Sequence, residues 1–224
     1  MQEVADPVAN APRATPRRIP EDLIRTAERL LATNGIGAPL RQIAAQAGYR
    51  NPATVQYHFG SRAGLLTAIL EYRLPGLDRR RFQILEQLQA QGRDFDLRGL
   101  VEAMVRPFLE LDRDSHYVEL LVRLGSLNET RDAYVKMVKY LKGAELVQQR
   151  IYEQLESLPP AVRRNRMLMS IDLMLSAIAA RTVRLQRGTP DGLALNDELF
   201  AQDLFDALVG LLQAEHTELR AHTE

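Results

Sequence analysis

Between Arg29 and Leu70 the chain carries four arginines, Arg29, Arg41, Arg50 and Arg62, and not one Asp or Glu. The rest of the chain is of mixed charge and the formal net charge is zero, so this stretch is a local cationic patch in a neutral protein. A patch of that kind attracts a polyanion, and the neutral total confines the contact to one surface. Set among the arginines are Thr54, Gln56, Tyr57 and His58. These side chains can donate or accept hydrogen bonds to phosphate oxygens and base edges.

Other chemistries find less support. The absence of cysteine excludes disulfides, thiolate zinc sites and a thiol nucleophile. There is no GxxxxGK, GxGxxG or GxSxG pattern. His58, His116, His216 and His222 lack HExxH spacing, and the carboxylates are scattered. No enzyme activity, metal or cofactor is therefore expected. With 46% apolar and 26% charged residues the composition is that of an ordinary globular protein with a sizeable core. The most apolar stretch, Met167 to Ala180, is broken by Ser170, Asp172 and Ser176. It is too short and too polar to span a bilayer, and no apolar leader opens the chain, so a cytoplasmic protein without membrane contact is expected.

The elements that position the polar residues follow from local signals. Residues 1–19 hold Pro7, Pro12 and Pro16 without apolar periodicity and end in Arg13, Arg17 and Arg18, which predicts a disordered basic arm. A first helix begins at Pro20, with Glu21 and Asp22 at its positive end, and closes at Gly35. Leu23, Ala27, Leu30 and Leu31 mark its apolar face. A second helix starts near Pro39, turns Leu40, Ile43, Ala44 and Ala47 to one side, and stops at Gly48. Asn51 caps a third helix, with Pro52 in its first position. Val55 and Phe59 face inward there and leave Thr54, Gln56, Tyr57 and His58 outside or on the flanks. Two helices around so short a turn form a helix-turn-helix, whose second member can enter a major groove. Ser61 caps a fourth helix through Leu65, Leu66, Ile69 and Leu70, which Pro75 is expected to kink or interrupt before Leu77 to Gln89 resume it.

The segments LIRTAERLLATNG, LRQIAAQAG and YHFGSRAGLL, between Leu23 and Leu66, resemble the DNA-binding domain of the TetR family of bacterial transcriptional repressors. The IA-x-x-AG turn, the HF pair and the basic residue followed by two leucines occur together at the family's spacing, over about the first third of the chain. The resemblance implies double-stranded DNA as partner. Arg41 then reaches a base edge or phosphate, Pro52, Ala53, Thr54 and Gln56 lie at the groove behind the Asn51 cap, and Tyr57, His58 and Arg62 contact phosphates. Four residues depart from the family pattern: Pro39 stands at a usual Thr or Ser, Asn51 at Ser, Gln56 at Tyr and Arg62 at Lys. Gln56 can pair with adenine in a bidentate way where Tyr cannot. Each residue has a structural alternative: a buried, hydrogen-bonded His58, Tyr57 covering the domain core, Arg62 serving only helix 4, and Arg41 without base contact.

Downstream the pattern is helical throughout, at about 96–112, 115–126, 130–157, 160–187 and 196–219, with no strand period. The fold class expected is all-α: a helix-turn-helix domain over 20–72, then a larger helical ligand-binding and dimerisation domain over 73–219 and a tail at 220–224. On the helix from 160, Met167, Ile171, Met174 and Ile178 form one apolar stripe and Leu168, Leu175 and Thr182 another; the last helix offers Leu204, Leu208, Leu211 and Leu212. Leu168, Leu175, Thr182, Leu204, Leu208 and Leu211 are thus candidates for a four-helix homodimer interface, as two-fold binding to a palindromic operator requires. Packing within one chain is the alternative. Met104, Phe108, Tyr117, Leu121, Tyr134, Met137 and Met174 lie on apolar faces of consecutive helices and are candidates for a pocket taking a largely apolar small-molecule effector, or simply for core. Arg106, Arg123 and Arg181 are candidate anion partners, and snorkelling or pairing with a carboxylate is the favoured alternative for each.

Overall fold

The computed structural model describes residues 20–51, 53–125, 141–187 and 195–216. The expected arm and tail, Pro52, Tyr134 and Met137 lie outside them, and Thr54 is described in its backbone alone. Among the described residues every regular element is an α-helix.

The first domain is built from α1 (Glu21–Asn34), α2 (Leu40–Gln46), α3 (Ala53–Phe59) and the start of α4 (Arg62–Ala90). Glu21 and Asp22 occupy the first turn of α1, and Gly35 ends it with φ 91°, a conformation that favours glycine. Leu23, Ala27, Leu30 and Leu31 meet Ile43, Ala44, Val55, Leu65 and Ile69 in a small fully buried core. Ser61 caps α4 by accepting from the Gly64 N–H at 3.1 Å.

Of the kink or interruption expected at Pro75, the interruption is corrected: α4 runs unbroken for 29 residues. Pro75 and Gly76 lie on its exposed side, so water can satisfy the carbonyl that loses its bond, while the flanking Arg73, Leu74 and Leu77 are buried. The expected division at 72/73 falls inside this helix, and the two parts of the chain share it.

The second part comprises α5 (Leu97–Leu109), α6 (Tyr117–Gly125), α7 (Lys142–Gln154), α8 (Pro160–Arg187) and α9 (Asp197–Gln213). Caps set several of these starts, Asp96 accepting from Gly99 N–H at 3.1 Å and Asn196 from Leu199 N–H at 2.8 Å. The single helix expected over 130–157 is not continuous, because Leu141 is extended and α7 begins after it. A side chain from another helix provides the cap: the Asp78 carboxylate of α4 accepts from Gly143 and Ala144 N–H groups at 3.2 and 3.0 Å. The last helix ends at Gln213, short of the expected 219, and 214–216 are not helical. Helix α5 packs on α4, α7 and α9, α8 on α6 and α9, and α1 reaches across to α6.

Candidate nucleic-acid interface

Helices α2 and α3 have seven residues each, too few to persist alone in water. Ile43 and Ala44 from α2 and Val55 and Phe59 from α3 are buried and dock them on α1 and α4. The turn between them passes through Gly48 at φ 81°. Asn51 then caps α3, its Oδ1 accepting from the Ala53 N–H at 2.9 Å, as its position suggested.

Solvent sees what those anchors leave over. Arg41, Arg50, Asn51, Ala53, Gln56 and Tyr57 are exposed, Tyr57 at 71%, so it does not cover the core. His58 is half-exposed rather than buried, edge-on to Tyr57 with ring centroids 5.7 Å apart. A cationic and aromatic surface with an uncharged helix start is therefore presented by helices docked on α1 and α4.

Two candidates are placed differently from the rest. The Gln56 Nε2 donates to the Gly60 carbonyl at the end of its own helix, so a bidentate pair with adenine requires that bond to open. Arg62 is half-buried and turned away from the exposed set: its guanidinium donates to the carbonyls of Ile36 and, at 3.2 Å, Ala38. It pins the connection between α1 and α2 to the start of α4, a structural role other than the capping or solvation of helix 4 weighed from sequence. Unanticipated was Arg29, whose Nη2 donates to Gln46 Oε1 at 2.9 Å and ties α1 to α2; its place in the acid-free stretch was the available signal.

The candidate pocket residues divide. Met104, Phe108 and Met174 line a cavity of about 100 Å³ together with Met167, Ile171, Val147, Ile151 and Arg81. Tyr117 and Leu121 are buried in the core and are not among the residues lining that cavity. Arg106 and Arg181 pair with carboxylates, Arg106 with Glu198 at 3.3 Å and Arg181 with Asp197 at 2.8 Å. The Arg181 guanidinium holds the Asp197 carboxyl below the ordinary range, and the Arg106 guanidinium does the same for Glu198.

The candidate dimer residues are placed unevenly, and the correction concerns the buried ones. Leu204 and Leu208 are buried in the chain's own core, where α9 packs on α5 and α8, and Leu175 is buried too. Thr182 is half-buried with its hydroxyl donating to the Ile178 carbonyl at 3.2 Å, and Leu211 is half-buried. The periodicity that marked these leucines is used within the chain. Leu168, at 36% exposure, does face solvent, beside Met169 at 48% and Leu173 at 39%, which sequence reading missed.

Among the described residues no group of three or more His, Asp or Glu is placed to hold a metal ion, and no helix is long and apolar enough to cross a membrane. No curated protein matches the chain. Residues 23–69, which span α1 to the first turns of α4, match the family model for bacterial regulatory proteins of the tetR family. The helix-turn-helix geometry and that match agree on the same segment, which is a DNA-binding domain of the tetR-family type.

Proposed function

We propose that the chain is a repressor that binds a palindromic operator as a homodimer in the cytoplasm and responds to a largely apolar small molecule held by its second domain. The observation that carries the DNA-binding mode is the division of α3: Val55 and Phe59 anchor it, and Gln56, Tyr57 and the Asn51 cap face solvent beside Arg41 and Arg50. One helix of that length buries little against a groove, so two copies related by a two-fold axis supply the affinity. The contacts proposed are Arg41, Ala53, Thr54 and Gln56 at the groove and Tyr57 and His58 at phosphates.

For the dimer, the face proposed is the exposed apolar run of α8, Leu168, Met169 and Leu173, which a monomer leaves in water. For the effector, support comes from the cavity walled by Met104, Phe108 and Met174, since thioether and aromatic walls adapt to apolar ligands.

Mobility-shift titration over palindromes drawn from the DNA upstream of the chain's own coding sequence tests the reading. Specific binding is expected, weakened by about 1–3 kcal/mol in Gln56→Ala if Gln56 reads a base. Tyr57→Ala should weaken binding to all sequences alike. Nonspecific affinity that neither substitution changes would overturn the assignment.

A further inference from the structure

Helix α1 belongs to the DNA-binding domain, yet its outer face is bonded to the second domain. Glu28 is 1% exposed, and its carboxylate accepts from Arg73 Nε and Nη2 of α4 at 2.7 and 2.8 Å. It also accepts from the Ser115 hydroxyl at 3.1 Å and the His116 N–H at 2.9 Å, both in the connection between α5 and α6. One turn earlier Arg25 donates to Asp112 at 2.9 Å. At the far end of α1, Arg123 of α6 donates to the Thr33 carbonyl at 3.3 Å.

The same connection walls a second cavity. It has a volume of about 510 Å³, within the range of small-molecule sites, and lies between α5, α6, α8 and the start of α9. Asp112 and Ser115 line it and are also bonded to α1. Its apolar walls include Phe108, Val118 and Ile178, and its polar ones include Thr182 and Glu119. Asp197 is occupied by Arg181, and Asp112 by Arg25, which leaves Glu119 as the wall carboxylate not paired with an Arg among the described residues. Burial raises the Glu119 carboxyl above its ordinary value, consistent with a site short of compensating charge.

We propose that this second cavity is a regulatory site for a small organic molecule with an apolar body and a hydrogen-bond-donating amine or hydroxyl, read by α1 through the Glu28–Ser115–His116 junction. An occupant that displaces Ser115 or Asp112 changes the bonds that orient the DNA-binding domain. A buried carboxylate that loses its donors is strongly destabilised, so breaking these bonds would favour a different seating of α1. Coupling between the cavity and the DNA-binding face requires an element that both bias, and the proposal assigns that part to this junction. The inference rests on the reading of this chain as a ligand-modulated regulator and adds the site and its route to α1.

The lack of cysteine permits clean spin labelling. Labels at Ala45→Cys on α2 and Arg164→Cys on α8, in chains diluted with unlabelled protein, report the orientation of the DNA-binding domain by pulsed electron resonance. The parent chain should give one narrow distance. Glu28→Gln, and Ser115→Ala as the milder cut, should each add a second population. Thr182→Trp, which fills the cavity away from the junction, should shift the distance in the parent, by at least threefold more than in the Ser115→Ala background. Saturating 1-naphthylamine should shift it in the same sense, and 1-naphthoate should not. An unchanged distance in Ser115→Ala, or equal shifts from Thr182→Trp in both backgrounds, overturns the route. A naphthoate response without a naphthylamine response overturns the ligand class. Distances that respond in a chain with no operator affinity would strike the repressor reading and leave the junction standing.

Discussion

Helices α3 and α8 use the same backbone for opposite ends. In α3 two apolar side chains suffice to hold seven residues, and the surface left over is polar and aromatic beside cationic neighbours. In α8 a long helix buries Met167, Met174, Leu175 and Ile178 and still shows Leu168, Met169 and Leu173 to water. The exposed remainder differs in chemistry accordingly, which is what supports the two proposed contacts. A polyanion suits the first, and a second apolar protein surface suits the second.

Substitutions on each side can break that contrast. The largest effect is expected from Met169→Glu with Leu173→Glu, which places two charges at the proposed contact between copies. The pair should weaken dimerisation by about 4 kcal/mol or more if both residues sit at its centre. Sedimentation velocity that finds an unchanged dimer would remove α8 from the interface. Val55→Ala, by contrast, attacks the hidden side of α3, where the side chain is wholly buried. It should cost about 2 kcal/mol of stability in urea unfolding by opening a cavity in the small core.

A smaller effect sharpens the status of Arg62. If its guanidinium chiefly ties the α1–α2 connection, Arg62→Ala should lower stability by about 1 kcal/mol, the net worth of its hydrogen bonds. Salt dependence of DNA binding should then keep its slope, whereas a phosphate contact would reduce that slope by about one. The smallest effect belongs to Glu119. Burial raises its carboxyl in the folded chain, so the folded state holds its proton to higher pH than the unfolded state does. The resulting penalty is absent below the ordinary Glu range and grows as pH rises through it. Glu119→Gln should therefore melt higher than the parent at pH 7 and equally at pH 3.5, as calorimetry can check.

The features legible from sequence were those decided within a few residues. Asn51 and Ser61 cap their helices because a cap needs only the next two or three N–H groups, and Val55 with Phe59 face inward because helical spacing fixes that. Continuity of α4 through Pro75 was not legible, since it depends on the burial of Arg73, Leu74 and Leu77 by elements distant in sequence. The Glu28–Arg73 pair lay equally out of reach, being a contact between α1 and α4 over 45 residues with no local signal. Leu204 and Leu208 expose a different limit. Periodicity says that a face is covered, and it does not say by which copy of the chain.

The bond from Asp78 to the start of α7 has a mechanical consequence. A Cβ at Gly143 would lie 2.7 Å from the Asp78 carboxylate oxygen, so the two helices touch there without slack. With that joint taken as a fulcrum, the part of α4 from Arg62 to Asp78 is an arm about 24 Å long at ~1.5 Å per residue. A tilt of about 5° at Asp78 would carry the tip of such an arm through ~2 Å, more than the ~1.5 Å rise of one helical residue. Small pivots at a glycine far from the DNA-binding face are thereby magnified where α3 is carried.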